Sequence, residues 1–548
     1  MNIKDFFLAF AYNVYLYVKS LNVFNFDRTS NIEKKNFYKY LKENNKTWRG
    51  GASKQPNKIL IFSIINHPGY LITETLIAKN ISKILNYEIT IITNKEYIDG
   101  IKIINSFSIN KIFFLNKISF IAKIIYLIKA YVILKSYKNI KNFLNFSINK
   151  INFGKVIYDH IIRFSNVNNS ENLNYKFIFF LAEALFYNEY FNNFFKKNKF
   201  QYLIMSENQF IPSNFVFQNA LKYGTKVVCR NGGPKKIGIK IFNNVNEKYY
   251  PKLRIPQNVF KKIFKYKKNI YSTKGFIVIK KILQGKIRHY DAHGQNNFVR
   301  KNKIFYNKKD IYKYFNWNIN KKICIIFSNN LFDGNYGTEK RLFLNNLLWL
   351  RNTLNFIKKI EPKVYWIIKE HPSDYGIDRS KTNTKNEFNK IIGENKNIKL
   401  FPNHISIYNI KEFVSCVVTS MGSPGLEYPC FGIPSIVCGS SFYTGLGFTY
   451  EPRNEGQYFY YLKNINNIVS KKLTNSQIQK ARVYYYLLSE KTKLDYDLLT
   501  NFEISRKLNL EKFFSENAKI ISKKNPYKNN FFKKLKKQIN NKQPILLN

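Results

Sequence analysis

Two short runs in the second half of the chain carry residue types suited to holding phosphate. Val417-Val418-Thr419-Ser420-Met421-Gly422-Ser423-Pro424-Gly425-Leu426-Glu427 reads as a buried strand, a small-residue turn and the opening of a helix. Such a turn aims free backbone N–H groups and the positive end of a helix dipole into a crevice, where phosphate binds. Ser423 suits an N-cap and Pro424 the first helical position. Gly422 and Gly425 are expected to let a ligand approach the backbone closely, with Ser420 beside them. Glu427 is placed to accept hydrogen bonds from ribose hydroxyls. Earlier in the chain, Lys369-Glu370-His371-Pro372 closes another apolar strand. The proline stops that strand and turns Lys369 and His371 toward the strand ends, where they would meet a donor phosphate or a departing nucleotide. The two runs together point to a nucleotide-sugar site. After the next strand comes a glycine-aromatic loop, Cys438 to Thr449, in which Phe442 and Tyr443 are candidates to pack on a sugar or base.

The elements that position these residues read as strand–helix alternation. Ile59 to Ser63, Ile89 to Thr93 and Ile112 to Leu115 are short apolar runs with helical stretches between them. The pattern returns at Tyr202 to Ser206 and Lys226 to Cys229, then again at Ile323 to Phe327, Val364 to Lys369, Ile398 to Phe401, Val414 to Thr419 and Ser435 to Cys438. Alternation of this kind predicts an α/β chain with two Rossmann-like parallel sheets, whose polar turns lie at the carboxyl ends of the strands. The expected organisation is a basic, helical N-terminal extension over 1–56, a first Rossmann-like domain over 57–245 and a connecting region over 246–318. A second Rossmann-like domain follows over 319–470, then helices and a solvated basic tail over 471–548.

Acidic candidates for a catalytic base lie in the first domain. Glu207 follows an apolar strand, and Asp159 sits in Gly154 to Arg163. His67, after the first strand, is a candidate to line the acceptor side. His289, Asp291 and His293 have no further ligand placed by spacing, so a solvated loop is expected there and no metal site.

The chain has 548 residues, 45% hydrophobic and 17% aromatic, enough for several packed cores. Its 90 Lys+Arg against 34 Asp+Glu give a formal charge of +56. That charge is spread along the chain and accompanies an excess of Lys, Asn, Ile, Phe and Tyr, as an AT-rich genome would encode. It favours anionic surroundings, such as a phosphorylated ligand or an anionic membrane surface, over a specific nucleic acid. A basic nucleic-acid-binding protein is the competing non-enzyme reading. The five cysteines lack metal-ligand spacing and suit a reduced core in the cytoplasm. No secretory signal is visible and no clean run of apolar residues is long enough to span a bilayer. Ile118 to Leu134 carries Lys123 and Lys129, and the lysines around it fall on three sides of a helix, which predicts a buried helix with snorkelling lysines. Any membrane contact is therefore expected to be peripheral, at the inner face of the cell membrane, through the apolar N-terminal helix and the basic tail.

Lys369 to Pro372, Thr419 to Glu427, Gly432-Ile433-Pro434 and Phe442 to Thr449 resemble the capsule polysaccharide biosynthesis glycosyltransferases, which include the Kdo transferases. The resemblance covers Ile323 to Pro452, and Gly154 to Arg163 is similar to a stretch of related surface-carbohydrate proteins. It implies a GT-B fold with the two domains facing a cleft, a nucleotide-sugar donor in the C-terminal domain and a glycan or glycolipid acceptor mainly in the N-terminal one. It also implies no cofactor and no essential metal, and it brings Arg163 to the acceptor side. Leu446 stands where the family usually has Trp, and Tyr428-Pro429 where it has Ala-Leu, so a Kdo donor does not follow. UDP-sugar 2-epimerases and polyol-phosphate transferases are alternatives with the same fold.

Overall fold

The computed structural model describes residues 1–22, 34–49, 57–164, 172–231, 236–248, 253–287, 306–334, 336, 341–361, 363–375, 382–500 and 509–545. The chain forms two compact units, Met1–Lys252 with Thr492–Asn548, and Leu253–Lys491.

The strands of the first unit are β1 (Lys58–Phe62), β2 (Glu88–Thr93), β3 (Lys111–Phe114), the short pair β4 (Ser147–Ile148) and β5 (Ile151–Asn152), β6 (Tyr202–Met205), β7 (Lys226–Asn231) and β8 (Lys236–Phe242). Its main sheet runs β8-β7-β6-β1-β2-β3, parallel from β7 to β3. β8 turns back antiparallel on β7, pairing Val227 with Phe242. The parallel strands inside the sheet, β7, β6, β1 and β2, are buried on both faces, which is why they read as continuous apolar runs, while the edge strand β3 is partly exposed. Helix Pro68–Leu85 follows β1. His67 is its N-cap, with Nδ1 accepting from the Gly69 N–H at 3.1 Å, and Pro68 supplies the first turn.

The second unit holds β9 (Ile323–Phe327), β10 (Tyr365–Lys369), β11 (Ile398–Leu400), β12 (Val414–Thr419) and β13 (Ser435–Val437). They form an all-parallel sheet in the order β11-β10-β9-β12-β13. Trp317 stacks on Tyr365 at 4.3 Å over one face, in a core with Ile323, Ile367 and Val417. The connecting region, from Leu253 onward, belongs to this unit. Its long helix Gln257–Leu283 packs on helix Asn475–Tyr486, where Gly275 lies against the Arg482 backbone.

The chain then returns to the first unit through β14 (Leu494–Asp495), which pairs antiparallel with β8. From Lys523 a solvated basic tail was expected, and the structure differs. Helix Asn530–Asn540 buries Phe531, Leu535 and Ile539 in the first core, and Tyr496 meets Phe531 at 4.5 Å. The apolar spacing 531/535/539 marks one helix face, and that face outweighs the surrounding lysines. The N-terminal extension is integral to the same core. Phe37 of helix Lys34–Trp48 meets Phe514 at 4.9 Å, and Trp48 meets Phe107 at 5.6 Å. Asp495-Tyr496-Asp497 has the spacing of a metal-binding acid pair, but Tyr496 is core and Asp497 pairs with Lys524 at 3.5 Å.

All five cysteines are buried and unbridged. Helix Phe120–Lys135 departs from expectation. Lys123 does not snorkel: it is 2% exposed, pairs with Glu183 at 2.8 Å and lies 3.8 Å from the Phe179 ring centroid. Breaking a buried pair leaves one charge uncompensated, so Glu183→Ala should cost about 3–5 kcal/mol in a urea melt, whereas replacing the whole pair, Lys123→Met/Glu183→Leu, should be neutral or stabilising.

Candidate functional site

In an open parallel sheet, ligands bind outside the carboxyl ends of the strands where the strand order reverses. In the second unit that point lies between β9 and β12. The register aligns Lys369 with Phe327, and Phe327 with Thr419, so the residues leaving these strands emerge in one row. Asn329, just past β9, ties the row together: its Oδ1 accepts from Thr419 Oγ1 at 3.0 Å and from the Ser420 N–H at 3.2 Å. Thr419 Oγ1 in turn accepts from the Gly422 N–H at 3.1 Å. Arg341 donates from Nη1 to Ser420 Oγ at 3.2 Å and to Asn346 Oδ1 at 3.1 Å. Lys369 Nζ donates to the Glu370 carbonyl at 3.1 Å. The structure thus brings Lys369, His371, Ser420, Gly422 and Glu427 to one sheet end, as their positions after β10 and β12 require.

Several roles expected from the sequence change. Ser423 is not a side-chain cap: it already has helical φ and ψ (−55°, −27°), and its carbonyl accepts from the Leu426 and Glu427 N–H groups. The helix it opens, Pro424–Glu427, is a single turn continued as 3-10 helix, so it carries little macrodipole. Gly425 is small for packing, not for a ligand. A Cβ there would fall on the Tyr443 hydroxyl and lie 2.9 Å from Val437. Tyr443 is fully buried, with its hydroxyl donating to the Gly422 carbonyl at 2.6 Å, so it props the turn from beneath and cannot stack on a ligand. Phe442 is half-buried, edge-on to Tyr443. Glu427 is 6% exposed, at the foot of the same turn.

His371 was expected to neutralise phosphate charge. Burial, and next the Lys369 charge, lower its pKa from 6.5 to about 4, so the ring is neutral at physiological pH. Asp374, not foreseen, follows in the same turn. Its Oδ2 accepts from the Thr384 N–H at 3.4 Å, and burial raises its carboxyl. The histidine has a consequence for stability. An imidazole that resists protonation when folded protonates first in the unfolded chain. The stability it contributes is full above about pH 6.5 and is lost as pH falls through about 4. Thermal melts across that window should show the decline, and His371→Asn should flatten part of it. His160, also lowered to about 4 by burial, and His67, lowered by burial and the Arg230 charge, contribute to the rest.

The first unit has its own reversal, between β1 and β6. Ser63, Ser206 and Arg230 emerge in one row. Glu74, fully buried on helix Pro68–Leu85, accepts from the Ser206 N–H at 2.9 Å. Burial raises its carboxyl against the pull of Ser63, Ser206 and Arg230. The Arg230 guanidinium lies 5.0 Å from the Tyr70 ring centroid. His67 stands beside this group. Its Nδ1 is spent on the helix cap, which puts the proton on Nε2, and burial and the Arg230 charge lower its pKa. Sequence reasoning missed Tyr70, Glu74 and Arg230. The spacing 67/70/74 on one helix face was the available signal.

The two candidate bases are linked. Gln209 donates from its backbone to Glu207 Oε1 at 2.5 Å and from its side chain to Asp159 Oδ2 at 3.2 Å. Arg163 lies one turn beyond Asp159 on the same helix. His289, Asp291 and His293 lie outside the described residues. Among the described residues no three His, Cys, Asp or Glu side chains gather as a metal-ligand group.

No family model matches the chain, and no curated protein does. Solved structures do. A β-Kdo 2,4 transferase, KpsC of Thermosulfurimonas dismutans, is 11% identical over 59% of this chain and 87% of its own, with a TM-score of 0.35. A glycosyltransferase from Rickettsia africae is 13% identical over 87% of this chain and 100% of its own, with a TM-score of 0.24. UDP-GlcNAc 2-epimerase from Neisseria meningitidis, bound to UDP-GlcNAc, is 10% identical over 88% and 98%, with a TM-score of 0.21.

Proposed function

We propose that the chain is a glycosyltransferase that moves a sugar from a nucleotide-sugar donor to a surface-polysaccharide acceptor of capsule or lipopolysaccharide type. The observation that supports this most is the row at the end of the second sheet: Lys369, Asn329 and the Ser420–Gly425 turn, with Arg341 bonded to Ser420. Two cations and a tight turn at a strand-order reversal suit a diphosphate. In this reading Arg341 and Lys369 supply the positive charge for the departing nucleotide, without a metal. Neutral His371 offers a hydrogen bond, and Glu427 holds the ribose side. The anomeric carbon–oxygen bond to the phosphate breaks, and the acceptor hydroxyl oxygen forms the new bond. The hydroxyl proton passes to a carboxylate, for which Glu207 and Asp159, linked through Gln209, are the candidates. His67, Tyr70 and Arg163 line the acceptor side.

A thermal-shift screen of the full chain against CMP, UDP, GDP, dTDP and CDP tests this. A ligand at about a hundred times its Kd stabilises by roughly 2.7 kcal/mol, a readable rise in Tm. One nucleotide should give that rise, and Arg341→Ala and Lys369→Ala should each weaken it about tenfold by removing a charged hydrogen bond. A folded chain that responds to none of them contradicts the donor site. Turnover of the matching sugar nucleotide without any acceptor would make the chain an epimerase instead.

A further inference from the structure

Helix Phe120–Lys135 is apolar toward solvent as well as toward the core. Its buried face carries Leu127, Ala130 and Leu134 together with Lys123, held by Glu183. Its exposed face carries Ile121, Ile125, Ile128 and Val132, of which Ile121 is 73% and Val132 64% exposed. The spacing 121/125/128/132 is one continuous stripe. Helix Ile3–Asn22 repeats the pattern, with Ala9 and Asn13 buried and Ile3, Phe7, Leu8 and Tyr15 exposed, Phe7 to 62%. The two helices lie side by side and antiparallel: Phe6 meets Tyr131 at 5.4 Å, and Tyr17 meets Phe120 at 4.8 Å. Single exposed apolar residues are ordinary, but two adjoining stripes are not.

We infer that this two-helix face is a docking surface for an anionic lipid bilayer. Charge complementarity selects that occupant. Lys4, between Ile3 and Phe7, is exposed, as are Lys129 and Lys135, which lie three residues either side of Val132. Exposed isoleucines with lysines at their margins match the acyl boundary and the headgroups of an anionic leaflet. Among the described residues no helix is long and apolar enough to cross a membrane, so the face lies on the bilayer. The inference is independent of the proposed sugar transfer.

Vesicle flotation of the full chain tests it, with phosphatidylglycerol-containing and pure phosphatidylcholine vesicles. A chain of formal charge +56 is drawn to anionic vesicles by charge alone, so the decisive arm is run at about 0.5 M salt, where screening is strong. The wild-type chain should still float with the anionic vesicles there. Ile121→Ser/Ile125→Ser/Ile128→Ser/Val132→Ser should float at least tenfold less with unchanged Tm. Phe7→Ser/Leu8→Ser, on the other helix, gives the same reading should the first variant misfold. Equal flotation of wild type and both variants overturns the inference, as does no flotation of the wild type. A wild-type dimer that the variants dissolve, with neither floating, assigns the face to a second copy and overturns it as well.

Discussion

Gly425→Ala should lower stability by about 1–3 kcal/mol, the cost of adding a methyl group to a site with no room for it. The methyl would fall on the Tyr443 hydroxyl and crowd Val437 at 2.9 Å. Tyr443 cannot retreat, because it is fully buried and its hydroxyl is fixed on the Gly422 carbonyl. Tyr443→Phe alone should cost about 1 kcal/mol, the net value of one hydrogen bond. The double variant should cost clearly less than the sum, by at least about 0.5 kcal/mol, because removing the hydroxyl makes room for the methyl. Urea denaturation of the four proteins reads this directly. Additive costs would mean that Gly425 is small for some reason other than Tyr443.

Asn329→Asp separates the site from the fold. The carboxylate still accepts from Thr419 Oγ1 and the Ser420 N–H, so Tm should change little. The new charge stands beside the Gly422 turn, where a built Cβ lies 3.7 Å from Asn329 Nδ2. A phosphate held in that turn would meet a like charge a few ångströms away, a repulsion of about 1–3 kcal/mol at a partly exposed site. Nucleotide affinity should therefore fall roughly ten- to hundredfold, and calorimetric titration measures it. Asn329→Leu, which loses both accepted bonds, should lose stability as well as affinity. If Asn329→Asp binds as tightly as wild type, phosphate does not sit at this turn.

The parallel strands were legible because burial on both faces makes them short apolar runs, and every one of those runs is a strand. β8 was not, although Ile237, Ile239 and Ile241 alternate in it, because lysines interrupt the apolar pattern, and Lys240 is in fact buried. The C-terminal helix was lost to the same bias: lysine density masked the Phe531/Leu535/Ile539 face. Lys123 could be placed only once Glu183, a residue distant in sequence, was known to meet it. The site divides similarly. Lys369, His371 and the Ser420 turn follow from strand ends, which are local features. Arg341 and Asn329 reach the site through contacts about eighty to ninety residues away in sequence, which no local pattern encodes. Tyr443 was misread because an aromatic in a glycine loop suggests a ligand platform, whereas Gly425 opens the space beneath the turn that it fills.

Hydrogen–deuterium exchange of the full chain, with and without the nucleotide that raises Tm, tests the central claim most directly. A donor held at the β9/β12 reversal should slow exchange in the segments Phe327–Leu331 and Ser420–Glu427 and leave Ser63–Glu74 unchanged. Protection confined to the first unit, or a saturable nucleotide response with no protection at either second-unit segment, would contradict it.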